Sequence, residues 1–440
     1  MKKKLNITFC SFPDFSSNAK PLYEYMKKRY KNTMNFAWIV RTDEVYSYLK
    51  KKKIDVYKLG SEQYFKYIKT SDVIFSTHAD ITGDKPKNSL YIELWHGIGP
   101  KPVGFLSENL SESDYNWYKH IKRKIDYFIV PSGFWKIIFS SLFNVESNRV
   151  LNLGYPKFDS YKDKNSFKKL EKVLKCDLNK YKKIIFYMPT FRYGCNRECE
   201  STVNTNNVFN VDVYDEKKLI SYLDKNDYLL CIKKHPSELI DIHGIDTDNI
   251  KIITDEMLSL LSISISEILN ASDVMITDYS SLGVEYLILD KPVIYLINDV
   301  EEYMVNRGII FNDYNFWMPG RKVSNIKDLL NSIDYYFSSD YSFDDIYSEK
   351  KRLWIGNLND GGCDRICDFF FDNNCIKKEI VYYKDNEEFL EEQVKDLKNI
   401  VNEKDYQLLI AKKQIDIIVN SKGWIFLESL RRIKRKLFRK

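Results

Sequence analysis

The chain has 440 residues, 44% hydrophobic and 30% charged; that is long for one core, suits two domains with an appendage, and excludes wholesale disorder. Its net charge of +6 sits at the end: residues 421–440 carry eight Lys or Arg against the single acid Glu428, a net +7 that leaves the other 420 residues at −1. So neutral a body gives no electrostatic support to nucleic-acid binding, and no nucleic-acid partner is expected.

In chain order, the basic start Met1-Lys2-Lys3-Lys4 is followed by Leu5–Phe12, a short strand-like run without the apolar stretch or small-residue cleavage site of a secretory leader. No segment reaches the roughly 18 apolar residues of a spanning helix, so a cytoplasmic protein is expected. Strands of a first unit are predicted at Leu5–Phe12, Phe36–Val40, Asp72–Ser76, Ser89–Leu94 and Asp126–Val130. The Lys-rich segment Tyr161–Lys183 reads as a hinge. Strands of a second unit are predicted at Ile184–Met188, Tyr228–Ile232, Ile250–Ile253, Val274–Thr277 and Val293–Leu296. Alternation with helical stretches predicts an α/β fold of two parallel-sheet domains facing a cleft, with boundaries at 1–160 and 161–380.

Beyond them, residues 381–420 repeat apolar positions at heptad spacing, among them Leu390, Val394, Leu397, Val401, Leu408, Ala411, Ile415 and Ile418. A coiled coil that makes homo-oligomers is one reading, and an amphipathic helix packed back on the body is the other. Residues 421–440 interleave Trp424, Phe426, Leu430, Ile433 and Phe438 with the basic residues, a pattern suited to a helix lying on an anionic membrane. The expected location is therefore peripheral, on the inner face of the cell membrane. The eight cysteines are scattered; the pairs Cys195/Cys199 and Cys363/Cys367 lack histidine partners and read as reduced thiols, so no metal site is expected. No cofactor is implied, and a divalent-metal requirement is not legible.

In doubly wound folds ligands sit at the carboxyl ends of the strands, and four polar clusters follow predicted strands there. Trp95-His96-Gly97 follows the fourth strand, with Gly99, Pro100 and Lys101 behind it. An imidazole with glycines close behind it suits proton abstraction from a hydroxyl, or else is a structural histidine bonded to a carbonyl, the reading given to His78, His120 and His243. Pro189-Thr190-Phe191-Arg192 offers Arg192 as a phosphate fork or a surface ion pair. Lys233-Lys234-His235-Pro236 offers Lys234 and His235 to a diphosphate, or a surface pair beside a packed histidine. Asp278-Tyr279-Ser280-Ser281 opens a helix predicted at Leu282–Leu289, where backbone N–H groups attract anions; simple capping by Asp278 or Ser280 is the alternative.

Taken in order, these residues resemble the teichoic-acid-type CDP-glycerol glycerophosphotransferases, a family that includes CDP-ribitol polymerases and primases. The resemblance spans roughly Leu90 to Phe370. It rests on Leu94-Trp95-His96-Gly97 with Lys101 and Gly104, Gly154-Tyr155-Pro156-Lys157 with Asp159, and Pro189-Thr190-Phe191-Arg192. It continues through His235-Pro236, Ile276-Thr277-Asp278-Tyr279-Ser280-Ser281 with Glu285 and Lys291-Pro292, and Asp360-Gly361-Gly362 with Asp364-Arg365. It implies a GT-B-like pair of Rossmann-like domains, the second holding a CDP-glycerol or CDP-ribitol donor. By the same resemblance His96 is the general base, and His235, Ser280, Ser281, Arg192, Lys234 and Glu285 surround the donor diphosphate, with Asp278 shaping the site. The implied reaction moves a polyol phosphate to a hydroxyl of a polymer or lipid-linked acceptor and releases CMP. A nucleotide-sugar glycosyltransferase and a non-catalytic scaffold are the alternatives. Where the family continues with threonine and proline after the glycine, this chain has Ile98, Gly99 and Pro100.

Overall fold

The computed structural model describes residues 4–79, 81, 85–86, 89–107, 110–190, 209, 211, 214–233, 247–311, 313–338, 341–343, 345–356 and 360–372, with the isolated positions 404, 410, 412 and 413. Residues 4–368 form one compact unit, and the described residues 369–372 end in a short π-helical turn, Asp368–Asp372. The heptad segment and the basic tail lie almost wholly outside the described residues. Among the described residues no helix is long and apolar enough to cross a membrane.

Two sheets organise the compact unit. The first contains β1 (Leu5–Cys10), β2 (Met34–Val40), β3 (Asp55–Lys58), β4 (Val73–Ser76), β5 (Leu90–Glu93), β6 (Tyr127–Val130) and β7 (Val150–Asn152) in the order β3-β2-β1-β4-β5-β6-β7. The second contains β8 (Lys183–Met188), β9 (Tyr228–Lys233), β10 (Ile250–Ile253), β11 (Val274–Thr277), β12 (Val293–Leu296) and β13 (Arg321–Val323) in the order β10-β9-β8-β11-β12-β13. All pairings are parallel; Ile7, for example, lies between Phe36 of β2 and Val73 of β4. Helices cover both faces of such sheets, so central strands must be apolar throughout. Val73–Ser76 and Tyr127–Val130 are buried at every position.

This is the expected α/β architecture of two parallel sheets. Three strands escape the sequence reading: β3, β7 and β13 are three or four residues long and each lies at a sheet edge. Edge strands are half exposed, and Asp55, Asn152 and Arg321 break the apolar run that marks the central ones. The segment expected as a hinge, Tyr161–Lys183, is also ordered. Helix Ser166–Leu174 buries Leu170, Val173 and Leu174, and a 3-10 turn, Leu178–Lys180, leads into β8.

Strand order reverses between β1 and β4 in the first sheet and between β8 and β11 in the second, and crevices open at the carboxyl ends of such strands. Phe12 and His78 follow the first pair, and Thr190 and Asp278 the second. After β13 the chain turns back. Helix Asp345–Ile355 packs on helix Gly133–Phe143, and helix Gly362–Cys367 packs on helices Pro156–Tyr161 and Ala19–Arg29.

Candidate active site

The loop after β5 is built on a buried carboxylate. Glu93 has no exposed surface, and its two oxygens accept the backbone N–H of Trp95 at 2.9 Å and of Ala79 at 2.8 Å. Both recipients are in the left-handed region, with φ of 53°. That conformation costs a side-chain-bearing residue roughly 1–2 kcal/mol, so the carboxylate holds two strained turns at once. One turn carries His78 and the other His96.

His96 Nδ1 lies 3.0 Å from the Thr77 carbonyl. A carbonyl only accepts, so Nδ1 carries the proton and the neutral ring keeps its lone pair on Nε2. The residue is exposed overall, but its ring is packed against His78 and Trp95, which take part of its hydration away. That desolvation pushes its pKa down to about 4; the Thr77 carbonyl opposes the shift and Lys157 adds to it. His96 is therefore neutral at physiological pH, as a base must be. Trp95 packs beside it at 4.4 Å, and His78 is stacked on it with centroids 3.8 Å apart and planes 10° apart.

On the second sheet, Asp278 is buried and receives the Thr190 N–H at 2.8 Å and the Thr190 hydroxyl. It thus ties the end of β8 to the end of β11. Ser280 caps helix Ser281–Glu285 through the Leu282 N–H at 3.3 Å, so the capping alternative describes its side chain here. Ser280 and Ser281 are both half-buried.

The two sheets meet at these residues. A Cβ on Gly97 would lie 3.0 Å from Ser281 Oγ, and one on Gly99 would lie 3.1 Å from Ser281 Cα, so glycines let the His96 loop rest on the serine turn. Pro100 extends the contact by accepting the Ile310 N–H at 2.7 Å. Beneath lies a buried ion pair. Lys157 Nζ donates to Glu285 Oε1 and to the His96 carbonyl, both at 2.7 Å, and the Tyr161 hydroxyl donates to Glu285 Oε2 at 2.7 Å. Glu285, expected beside the donor diphosphate, is wholly buried, with its carboxylate turned to Lys157 and Tyr161. Its part is to hold the His96 loop against the second domain.

Arg192, Lys234 and His235 lie outside the described residues. Glu93 and His78 are the residues that sequence reasoning missed. The signal for Glu93 was a lone carboxylate in the apolar run Leu90-Tyr91-Ile92-Glu93-Leu94; nothing local marked His78. Other sequence marks prove architectural. Lys291 Nζ donates to the carbonyls of Asn270 and Ser272, and Asp159 accepts the N–H groups of Gly362 and Cys363, both at 3.1 Å. Cys363 and Cys367 are buried thiols outside any disulfide, and among the described residues no three His, Cys, Asp or Glu side chains gather as a metal would need.

Residues 1–372 match the family model described as CDP-glycerol:poly(glycerophosphate) glycerophosphotransferase. The chain belongs to that family. A member of this glycerophosphotransferase family moves a polyol phosphate from a CDP-polyol, and the chain is an enzyme of that class. It is 28% identical to the teichoic acid glycerol-phosphate primase of Bacillus subtilis (strain 168), over 76% of this chain and 85% of the relative. It is 25% identical to the teichoic acid glycerol-phosphate transferase of Staphylococcus aureus, over 81% of this chain and 90% of the relative. Over 65% of this chain it is 27% identical to the teichoic acid ribitol-phosphate primase of Bacillus spizizenii, of which 70% is covered. In fold it resembles the wall teichoic acid polymerase TagF, in a variant soaked with CDPG, with a TM-score of 0.67 and 23% identity over 87% of this chain and 91% of that one. The glycerophosphotransferase fold is thus the GT-B-like one expected.

Proposed function

We propose that this enzyme uses His96 as general base to activate an acceptor hydroxyl, which attacks the β-phosphorus of a CDP-polyol bound against the Ser280–Ser281 turn. The P–O bond to the acceptor forms, the bond to CMP breaks, and His96 Nε2 takes the hydroxyl proton. The observation that carries this reading is the seating of the His96 loop on Ser281, which brings a neutral imidazole from one sheet to the donor-side turn of the other. Phosphoryl transfer of this kind needs mainly positioning and electrostatic stabilisation, and a clamped loop with a fixed tautomer supplies the former. Ser280 and Ser281 face the diphosphate, with Arg192, Lys234 and His235 completing that side; Asp278 and Glu285 shape it from beneath. The acceptor is a hydroxyl of a polymer or lipid-linked primer, and the basic tail brings the enzyme to an anionic membrane surface.

The test is CMP release by the purified protein from CDP-glycerol and from CDP-ribitol, with a membrane extract as acceptor. CMP from one donor, lost by ~10²–10⁴-fold in His96→Ala, supports the reading and names the polyol. Undiminished CMP release from His96→Ala would overturn the base assignment. Release of nucleotide from a sugar donor alone would overturn the donor assignment.

A further inference from the structure

His78 touches no reacting atom in the proposed transfer, yet it stands where strand order reverses in the first sheet, at the exit of β4, and its ring lies flat on that of His96. The stacking is built from several sides. Thr77 serves both rings, its carbonyl accepting from His96 Nδ1 and its hydroxyl sharing a 2.9 Å hydrogen bond with His78 Nδ1. Glu93 braces both turns. Rings then run in series from Phe12, edge-on to His78 at 5.6 Å, through His78 and His96 to Trp95, which packs on Phe139 and Phe143 in the core.

We propose that His78 is a positioning residue for His96, its ring covering one face of the base, fixing the plane of the imidazole and keeping water from that face. This rests on the general-base reading of His96. In that step His96 gains a charge in a desolvated site. A second charge at that distance would oppose it, and a neutral ring in contact does not. Arg41, just after β2, disfavours charge on His78, and Lys157, from helix Pro156–Tyr161, disfavours it on both rings; Glu93 is engaged by backbone N–H groups and Glu285 by Lys157 and Tyr161. Burial first, then His96, Arg41 and Lys157, push the His78 pKa down to about 2, so that ring stays neutral while its neighbour is protonated.

The experiment measures kcat/KM for CMP release against pH, and the His96 ring titration by NMR, in wild type, His78→Ala and His78→Phe, with thermal unfolding to verify the fold. In His78→Ala water reaches the uncovered face. The plateau rate is expected to fall about 10-fold, and the acid limb and the NMR titration to move up together toward the ordinary histidine value near 6.5. His78→Phe keeps the face without a titrating group and is expected to restore both. If both variants match wild type, or both are impaired alike while the His96 titration stays in place, the proposal fails and His78 is a packing residue. His96→Ala run alongside separates the two readings. Full CMP release from it overturns the base assignment and this proposal with it, whereas an inactive His96→Ala beside an unaffected His78→Ala overturns this proposal alone.

Discussion

At the scale of single residues, His96 joins three conditions of a base: a proton parked on Nδ1 by a carbonyl, a lone pair left on Nε2, and surroundings that disfavour charge. The sign of the pH effect follows. A base must be deprotonated, and burial lowers its pKa, so kcat/KM should stay flat as pH falls past the usual histidine range and decline only on approaching about 4. A pH–rate profile checks this, and a limb at 6.5 would contradict it. Glu93 is the other residue of consequence. Glu93→Gln keeps the shape but offers only one acceptor oxygen to two N–H groups in strained turns. It should lower kcat far more than KM, and should destabilise by about 1–3 kcal/mol on urea unfolding.

Among elements, helix Pro156–Tyr161 does most of the joining. Lys157 and Tyr161 reach the second sheet through Glu285, while Asp159 holds the start of helix Gly362–Cys367. Lys157→Met leaves a carboxylate buried beside one phenol. Breaking such a pair costs about 3–5 kcal/mol, and the double variant Lys157→Met/Glu285→Leu should recover much of it, as equilibrium denaturation would show. Gly154, just before this helix, has φ of 83°, and a Cβ there would lie 2.5 Å from Arg365 Nη2. Arg365 is itself fixed, Nε donating to the Leu153 carbonyl at 2.7 Å. Gly154→Ala therefore combines backbone strain with displacement of that arginine, and a stability loss of about 1–3 kcal/mol by thermal or chemical unfolding is the expected outcome.

For the whole molecule, Glu267 links three parts of the unit: it pairs with Lys20 of helix Ala19–Arg29 at 2.5 Å and with Lys169 of helix Ser166–Leu174 at 2.6 Å. Burial alone would raise its pKa, but the two lysines outweigh it and the carboxyl is lowered from 4.5. A lowered carboxyl contributes stability that is present above its unfolded value and is lost as pH falls through the folded one. The fold should therefore weaken below about pH 4.5, and Glu267→Gln should flatten that part of the curve while lowering stability at neutral pH. What the sequence could reveal divides along the same lines. Central strands were legible because burial on both faces leaves an uninterrupted apolar run; β3, β7 and β13 were not, because edges carry polar residues. His96 and Ser281 stood out by their place after strands. His78 did not, because its meaning lies in a neighbour that only the β4–β5 pairing brings to it. Gly154–Asp159 and Asp360–Arg365 looked like two separate marks and are the halves of one contact.

That contact has a mechanical consequence. The polypeptide passes between the sheets twice, through residues 153–182 and again after β13, and Asp159 fastens the two passages side by side. A body joined by one strap can slide and twist in any direction, whereas one joined by two adjacent straps behaves like a door on two pins. Its easy movement is a swing about the line through them. Any parting of His96 from Ser281 would have to break the Lys157–Glu285 pair and follow a single arc, so that re-forming the pair would return them to the same register.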